Sequence, residues 1–289
     1  MSVKKYYAAR KGISHEQSID FETLKKIILM KYQELEKELY FQEATGYTCV
    51  DAGKISGIWG NDIETYIYTK IKLKDIWPIE EKIHNYDEPI LFTVIEFLYD
   101  YVSEPIDKYK KYHGWNHCGW HCSKFDKEKG REKFRSNIND IIKEYNGGYQ
   151  LTKEGEIQNL PSTGFEQLVE ETVQTDEPDD IDNRIKNAKS KYFRYGSTNE
   201  DKKEAIRTLA DVMEFLKKEG VTLPSKDDSD LFQIINRFDI RHHNKEQVRD
   251  YDRELWNDWM FYTFLSSIKL LVKIKGKIKN GGARSPPHT

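Results

Sequence analysis

The chain has 289 residues, of which 33% are charged and 37% hydrophobic, and its formal net charge at pH 7 is only −3. This length allows two domains of ordinary size, each with its own core. Aromatic residues make up 13%, which excludes a largely disordered protein because disordered chains are poor in aromatics. The small net charge excludes a polycation, so any affinity for nucleic acid has to come from local patches.

The cysteine content and the hydropathy pattern indicate whether the protein is secreted, membrane-bound or soluble. The three cysteines give no disulfide framework, and the start "MSVKKYYAARKG" lacks the apolar core of a signal peptide. The longest apolar stretch, Trp259 to Val272, is too short to span a bilayer and contains Lys269. We therefore expect a soluble, cytoplasmic protein that does not contact a membrane.

The first part of the chain alternates helical segments with turn signals. After Asp20, a suitable N-cap, apolar residues recur at helical spacing as far as Leu35, and Gly46 marks a stop. Asp62 and Asp87 begin two more helical segments. A fourth, "GREKFRSNINDIIKEYNGG", ends at paired glycines. The sequence therefore predicts an N-terminal domain built mainly of helices.

A short alternating stretch follows these helices. "GYQLTKEGEIQNL" alternates its residues around a central Lys-Glu-Gly turn, which predicts a small, wing-like β-ribbon. We place the N-terminal domain at residues 1–160. The next stretch, "LPSTGFEQLVEETVQTDEPDDID", is acidic and contains two prolines. It predicts an acidic linker over residues 161–182.

The last part is predicted to be a helical bundle over residues 183–280, so the fold class is mostly α. Its final helical segment, "YDRELWNDWMFYTFLSSIKLLVKIKGKIK", is apolar over much of its circumference. Such a wide apolar surface predicts a homodimer interface on this bundle. We expect the tail, 281–289, to be disordered.

The stretch "NRFDIRHHNKEQ" carries the most chemistry. It places two arginines and two adjacent histidines within seven positions, ahead of the long apolar helix. An imidazole can take or give a proton near pH 7, and a guanidinium holds phosphate oxygens with a planar fork. Together they suit metal-free RNA cleavage, in which arginine offsets the charge that builds on phosphorus. They also suit plain phosphate binding, so the chemistry leaves both open.

Helix geometry limits how these groups can meet. At about 100° per residue, Arg237, Arg241 and Asn244 fall within roughly 60° of one another. His242 lies about 140° from Arg237, and His243 about 120° away in the other direction. One unbroken helix therefore cannot aim Arg237 and both histidines at one phosphate. Either the helix ends near Ile240, or the groups converge from two chains.

The spacing of these residues resembles a known family motif. Arg237 and His242, with four residues between them, resemble the arginine–x4-6–histidine motif of the HEPN superfamily of helical bundles, which is rich in ribonucleases. His243 fits as well. "FDIRHHN" resembles AbiJ-type abortive-infection proteins, and "ELYFQEATGYTCVDAG" and "NGGYQLTKEGEI" resemble the domain often fused ahead of that bundle. Phe238 departs from the motif, which leaves open whether Arg237 or Arg241 is the working arginine.

The resemblance implies a toxin-like, metal-independent endoribonuclease of antiphage defence, with two motifs meeting across a symmetric homodimer. It implies that His242 or His243 is the acid/base. Arg237 or Arg241 would stabilise the phosphorane, and Asn244 would orient phosphate or imidazole. The partners it implies are RNA, with tRNA among the candidates, and an antitoxin or another defence protein.

A second function class stays open. The bundle would then be catalytically silent, and the protein a dimeric nucleotide- or RNA-binding adaptor or regulator, a reading that Phe238 favours. Four cations are candidates to contact the RNA backbone: Lys245, Lys273, Lys275 and Lys277. A solvated helix end explains the last three equally well, since cations are favourable there.

The segment "HGWNHCGWHCSKFD" raises the question of a metal. It contains five residues of the types that bind zinc: His113, His117, Cys118, His121 and Cys122. No second pair with zinc-finger spacing occurs, and four ligands within six residues, as from His117 to Cys122, seldom close a tetrahedron. We therefore expect no metal and no other cofactor. Trp115 and Trp120 are expected to be packing anchors.

Overall fold

The computed structural model describes residues 7–11, 18–223, 230, 231, 233 and 252–279. Within these residues the chain is mostly helical, with four small two-stranded antiparallel sheets. It divides into two compact units, Met1–Asn159 and Leu160–Thr289. No helix in this described part is long and apolar enough to cross a membrane.

Seven helices are described in the first unit: α1 (Tyr7–Arg10), α2 (Phe21–Lys37), α3 (Gln42–Thr45), α4 (Ile63–Ile71), α5 (Ile79–Lys82), α6 (Glu88–Tyr101) and α7 (Lys127–Ile142). Asp20, Asp62 and Asp87 cap α2, α4 and α6. Each carboxylate accepts the backbone N–H three residues on, at 2.9–3.0 Å. The first turn of a helix leaves these N–H groups unpaired, so the caps predicted from the sequence are confirmed.

The strands form four ribbons: β1 (Gly46–Cys49) with β2 (Gly53–Ser56), β3 (Glu104–Pro105) with β6 (Phe125–Asp126), β4 (Lys110–His113) with β5 (Gly119–Cys122), and β7 (Tyr149–Leu151) with β8 (Ile157–Asn159). The β7–β8 ribbon was predicted and is confirmed. The other three were not predicted, because such short strands give a weak period-two signal and no turn like the Lys-Glu-Gly turn of β7–β8 was recognised between them. Two of these three, β1–β2 and β4–β5, nevertheless position the site described below.

Three long helices form the core of the first unit. Helix α7 packs against α2 and α6. The side chains of Leu24, Leu91, Ile95 and Ile142 are completely buried. Burial of branched aliphatic side chains is the main favourable term in folding. The core therefore lies between these helices, and the β1–β2 and β4–β5 ribbons carry few buried apolar residues.

The second unit is built from α8 (Glu166–Glu170), a π-type turn (Pro178–Asp182), α9 (Asn183–Phe193), α10 (Asn199–Lys218) and α11 (Arg253–Lys279). Helix α10 packs against both α9 and α11. The core along this contact is aliphatic and aromatic, with Leu209, Phe261 and Phe264 fully buried. The predicted helical segments on either side of residues 224–251 are therefore present.

The predicted acidic linker, 161–182, packs as part of the second unit. Leu168, Val169 and Val173 pack against its core, and Ile181 is completely buried. Acidic, proline-containing composition is typical of linkers, but here the apolar residues between the acids have a surface to bury against. The linker interpretation of this segment was wrong for that reason.

Buried lysines of α11 neutralise this acidic segment. Lys269 donates to the Glu171 carboxylate at 2.8 Å, and Lys275 donates to the Glu177 carboxylate. Both ammonium groups belong to buried residues. A buried charge is tolerated only when it is paired and hydrogen-bonded. The acids of the segment are thus partners of α11.

Candidate metal centre

The predicted catalytic residues, Arg237, Arg241, His242, His243 and Asn244, lie outside the described residues, and so does Lys245. Their convergence on one phosphate is therefore still a prediction.

The three other predicted RNA-binding lysines lie on α11. Lys273 and Lys277 are exposed, as a contact with RNA requires. Lys275 is buried and forms the ion pair with Glu177. Its ammonium group cannot also neutralise a phosphate at the surface. The prediction that Lys275 binds RNA was wrong, because the sequence did not show that the acids of 161–182 pack beside it.

Four residues with metal-binding side chains come together in the first unit: Cys49, His113, Cys118 and His121. One ligand atom from each lies within 4.8 Å of all the others. Three of them belong to the segment considered in the sequence, whereas Cys49 ends β1, 64 residues before His113. The cluster therefore includes a residue of a ribbon that the sequence did not predict, and its members are not crowded into six consecutive residues.

Strand alternation explains why the two histidines meet. In the β4–β5 ribbon His121 lies opposite Lys111, and His113 lies two residues further along β4. Residues two apart on a strand share a face, and the two imidazole rings are 5.1 Å apart, centre to centre. Tyr112 and Trp120 lie opposite each other on the other face, with rings 5.2 Å apart.

The connection between β4 and β5 brings Cys118 to the histidine face. Asn116 has φ +48° and Gly119 has φ +86°. Asparagine and glycine are the residues that best tolerate this left-handed region. Between these two reversals, Cys118 directs its Sγ to within 2.9 Å of His121 Nε2.

Cys49 approaches the same histidines from β1. Its Sγ lies 3.5 Å from His113 Nδ1, and Asp51 Oδ2 lies 3.6 Å from the same nitrogen. Gln42 of α3 joins the two ribbons at this point. Its amide donates to the Trp120 carbonyl at 3.1 Å and accepts from the Cys122 N–H at 2.7 Å. The Gln42 side chain thus links α3, which directly precedes β1, to the backbone of β5.

The environment favours a neutral imidazole at His121. Burial, and to a lesser extent the neighbouring His113, lower the pKa of His121 from its usual value. Its Nδ1 is buried and has no hydrogen-bond partner among the described residues, and the Tyr47 ring stacks on the imidazole at 4.1 Å. The neutral form is the one that binds a metal.

The distances suit a tetrahedral ion. Zinc bonds of about 2.3 Å to sulfur and about 2.0–2.1 Å to nitrogen place neighbouring ligands about 3.3–3.8 Å apart. The distance from Cys49 Sγ to His113 Nδ1, 3.5 Å, lies within this range. The distance from Cys118 Sγ to His121 Nε2, 2.9 Å, is somewhat shorter.

Cys122 is not part of the cluster, although it follows His121 directly. Its side chain lies on the other face of β5, where the thiol donates to the Lys124 carbonyl at 3.0 Å. It is as buried as Cys49, each being 4% exposed. The side chain of His117 is outside the described part of the chain.

The tryptophans of this segment are not packing anchors. Trp115 is 80% exposed and Trp120 is 53% exposed, and Tyr112, which pairs with Trp120, is 61% exposed. The expected anchoring role was wrong, because these rings lie in the connection between β4 and β5 or next to it, where they are exposed, whereas Cys122 at the other end of the ribbon is buried. These aromatic side chains therefore form part of the exposed surface and not part of the core.

The chain was compared with protein-family models, curated proteins and solved structures, and none of them matches it.

Proposed function

We propose that the chain is a metal-independent endoribonuclease of the toxin type, acting in antiphage defence, and that its second unit is a HEPN-like bundle. The observation that carries the proposal is the arginine–histidine motif between Arg237 and His243. It stands ahead of the long helix α11 in a unit whose described elements are mainly helical. Imidazole and guanidinium are the groups that metal-free cleavage of RNA requires.

The proposed reaction needs no bound ion. A histidine removes the proton of a ribose 2′-hydroxyl, and the freed oxygen attacks the adjacent phosphorus. The bond from phosphorus to the 5′ oxygen breaks, and a protonated histidine returns a proton to that oxygen. The products are a 2′,3′-cyclic phosphate and a 5′-hydroxyl. An arginine stabilises the negative charge of the phosphorane between these steps.

A homodimer through the second unit is part of the proposal. Leu255, Trp259 and Leu270 are large apolar residues that are exposed on α11. At about 100° per residue they fall within roughly 60° of one another, so they form one stripe. A second copy that buries this stripe would supply the partner motif, because a two-fold interface uses the same patch on both chains.

Metal-free cleavage is the first test of this function. The purified full chain is incubated with total RNA in buffer without divalent cations, and in a parallel reaction with EDTA. We expect fragments that end in 2′,3′-cyclic phosphate. His84→Ala, which replaces an exposed histidine of the first unit, is the matched control and should cut like the wild type.

The alternative hypothesis, a catalytically silent adaptor, predicts that RNA is not cleaved. If RNA incubated with the wild type is indistinguishable both from RNA incubated without protein and from RNA incubated with the His242→Ala and His243→Ala variants, the chain does not cleave RNA. Cutting that requires a divalent cation would instead replace the proposed mechanism with a metal-dependent one. Both results contradict the enzyme proposed here.

The exposed ribbon face favours RNA binding by the first unit, whether or not the second unit cuts. Tyr112 and Trp120 expose their rings on one face of the β4–β5 ribbon, Trp115 exposes its ring in the connection between the two strands, and Lys124 is exposed just after β5. Unpaired bases stack on aromatic rings, while lysines neutralise the phosphates. We propose that this face holds single-stranded RNA.

Replacing Trp115 and Trp120 together by alanine is expected to weaken binding of a single-stranded RNA by about 5- to 100-fold. This corresponds to about 1–3 kcal/mol in total, the contribution of one base that stacks on these rings. Fluorescence anisotropy with labelled RNA measures the affinity. Tyr7→Ala, which removes an exposed ring elsewhere in the first unit, is the control. Equal affinities for the wild type, the double variant and Tyr7→Ala would show that the ribbon does not bind RNA.

A further inference from the structure

We propose that Cys49, His113, Cys118 and His121 bind one Zn²⁺ ion, in a structural centre that is independent of the proposed nuclease. The four ligand atoms lie within 4.8 Å of one another. Two sulfurs and two imidazole nitrogens in a tetrahedral arrangement are a donor set typical of zinc. Because the protein fills all four positions, none is left for water or substrate, which distinguishes structural zinc from catalytic zinc.

The ion has a mechanical role in the first unit. The β1–β2 and β4–β5 ribbons are separate two-stranded sheets, and an isolated ribbon of this size is marginal in water. Every residue of β2 is exposed, so apolar burial cannot hold it. An ion bound by Cys49 on one ribbon and by three residues of the other links segments that are 64 residues apart.

The other chemistry open to this cluster is a disulfide between Cys49 and Cys118, whose sulfur atoms both belong to it. The histidines argue against that reading. A disulfide has no use for two imidazoles directed at the same point, whereas zinc uses all four groups. Cys49 Sγ lies 3.5 Å from His113 Nδ1, and Cys118 Sγ lies 2.9 Å from His121 Nε2, so each sulfur is already beside an imidazole nitrogen.

The metal content of the full chain tests the proposal. The protein is purified without a histidine tag, in reducing buffer, from cells grown with added zinc, and is analysed by plasma mass spectrometry. We expect one zinc per chain in the wild type and nearly none in Cys49→Ser or Cys118→Ser. Cys122→Ser should keep its zinc, because that buried thiol donates to the Lys124 carbonyl and not to the cluster.

Cobalt provides a readout that needs no variant. When Co²⁺ replaces the zinc of the wild type, we expect the visible bands of a tetrahedral site together with a thiolate-to-cobalt charge-transfer band. This decides the question even if the cysteine variants fail to fold. His242→Ala should bind zinc like the wild type, so loss of the nuclease proposal would leave the zinc proposal intact.

Two results would overturn the zinc centre. One is a wild type that, after reduction and incubation with excess zinc, holds no more metal than Cys49→Ser and gives no tetrahedral cobalt spectrum. The other is an intact mass and peptide map that show Cys49 joined to Cys118 in protein prepared under reducing conditions.

Discussion

Alanine at the working histidine of the proposed nuclease, His242 or His243, is expected to lower the rate of RNA cleavage by about 10²- to 10⁴-fold, the usual contribution of a positioned acid or base. The other histidine should matter much less, because the two adjacent side chains leave a helix in different directions. Single-turnover cleavage of a labelled RNA with excess protein gives the chemical rate directly. A loss of less than about threefold in both variants would contradict a histidine mechanism.

The arginines can be ranked in the same assay. The working residue, Arg237 or Arg241, stabilises charge that exists only in the transition state. Its replacement by alanine should therefore cost about 10²- to 10³-fold in rate, with a smaller change in the affinity for RNA. Replacement of an arginine that only holds the substrate should instead weaken the affinity for RNA and change the rate less. The split between rate and affinity thus identifies which of the two acts on the phosphorane.

Mixing two inactive variants tests whether one site draws on both chains. If the arginine and the histidine of a site come from different subunits, a dimer of one arginine variant and one histidine variant contains one fully intact site. Random exchange of subunits then restores about a quarter of the wild-type activity, since half of the dimers are mixed and each has one working site of two. If both groups come from the same chain, the mixture stays inactive.

Removing zinc is expected to have the second large effect, and it should be local. Structural zinc in small domains contributes about 10–16 kcal/mol of apparent binding free energy. The first unit has its own helical core, so only the ribbons should open. Hydrogen exchange should speed up by about 100-fold or more at residues 46–56 and 110–122, a local destabilisation of about 3 kcal/mol. The helices α9–α11 should exchange as before.

Re-addition of zinc and two cysteine variants are the controls for this experiment. Adding zinc back should restore the slow exchange, and Cys122→Ser should respond to the chelator as the wild type does. Cys49→Ser should already exchange fast before any chelator is added. Exchange at the two ribbons that is equally slow with and without zinc would show that the contacts of Gln42 and the backbone are enough to hold them.

Local signals in the sequence determined much of the fold. Asp20, Asp62 and Asp87 were recognisable as N-caps because a cap is decided by one side chain and the N–H three residues on. The long apolar helix α11 and the β7–β8 ribbon were likewise visible from periodicity and a turn. Contacts of this kind span only a few residues, so the order of residue types is enough to specify them.

Tertiary structure decided what depended on distant partners. Cys49 is 64 residues from His113, and no spacing rule joined it to "HGWNHCGWHCSKFD". The sequence predicted that Lys275 is a surface cation, whereas the fold pairs it with Glu177. Ligand clusters and buried ion pairs form when separate segments pack, and packing depends on the whole chain's apolar surface. The sequence by itself determined the helices and the arginine–histidine motif, and only the folded chain brought two cysteines and two histidines to one point.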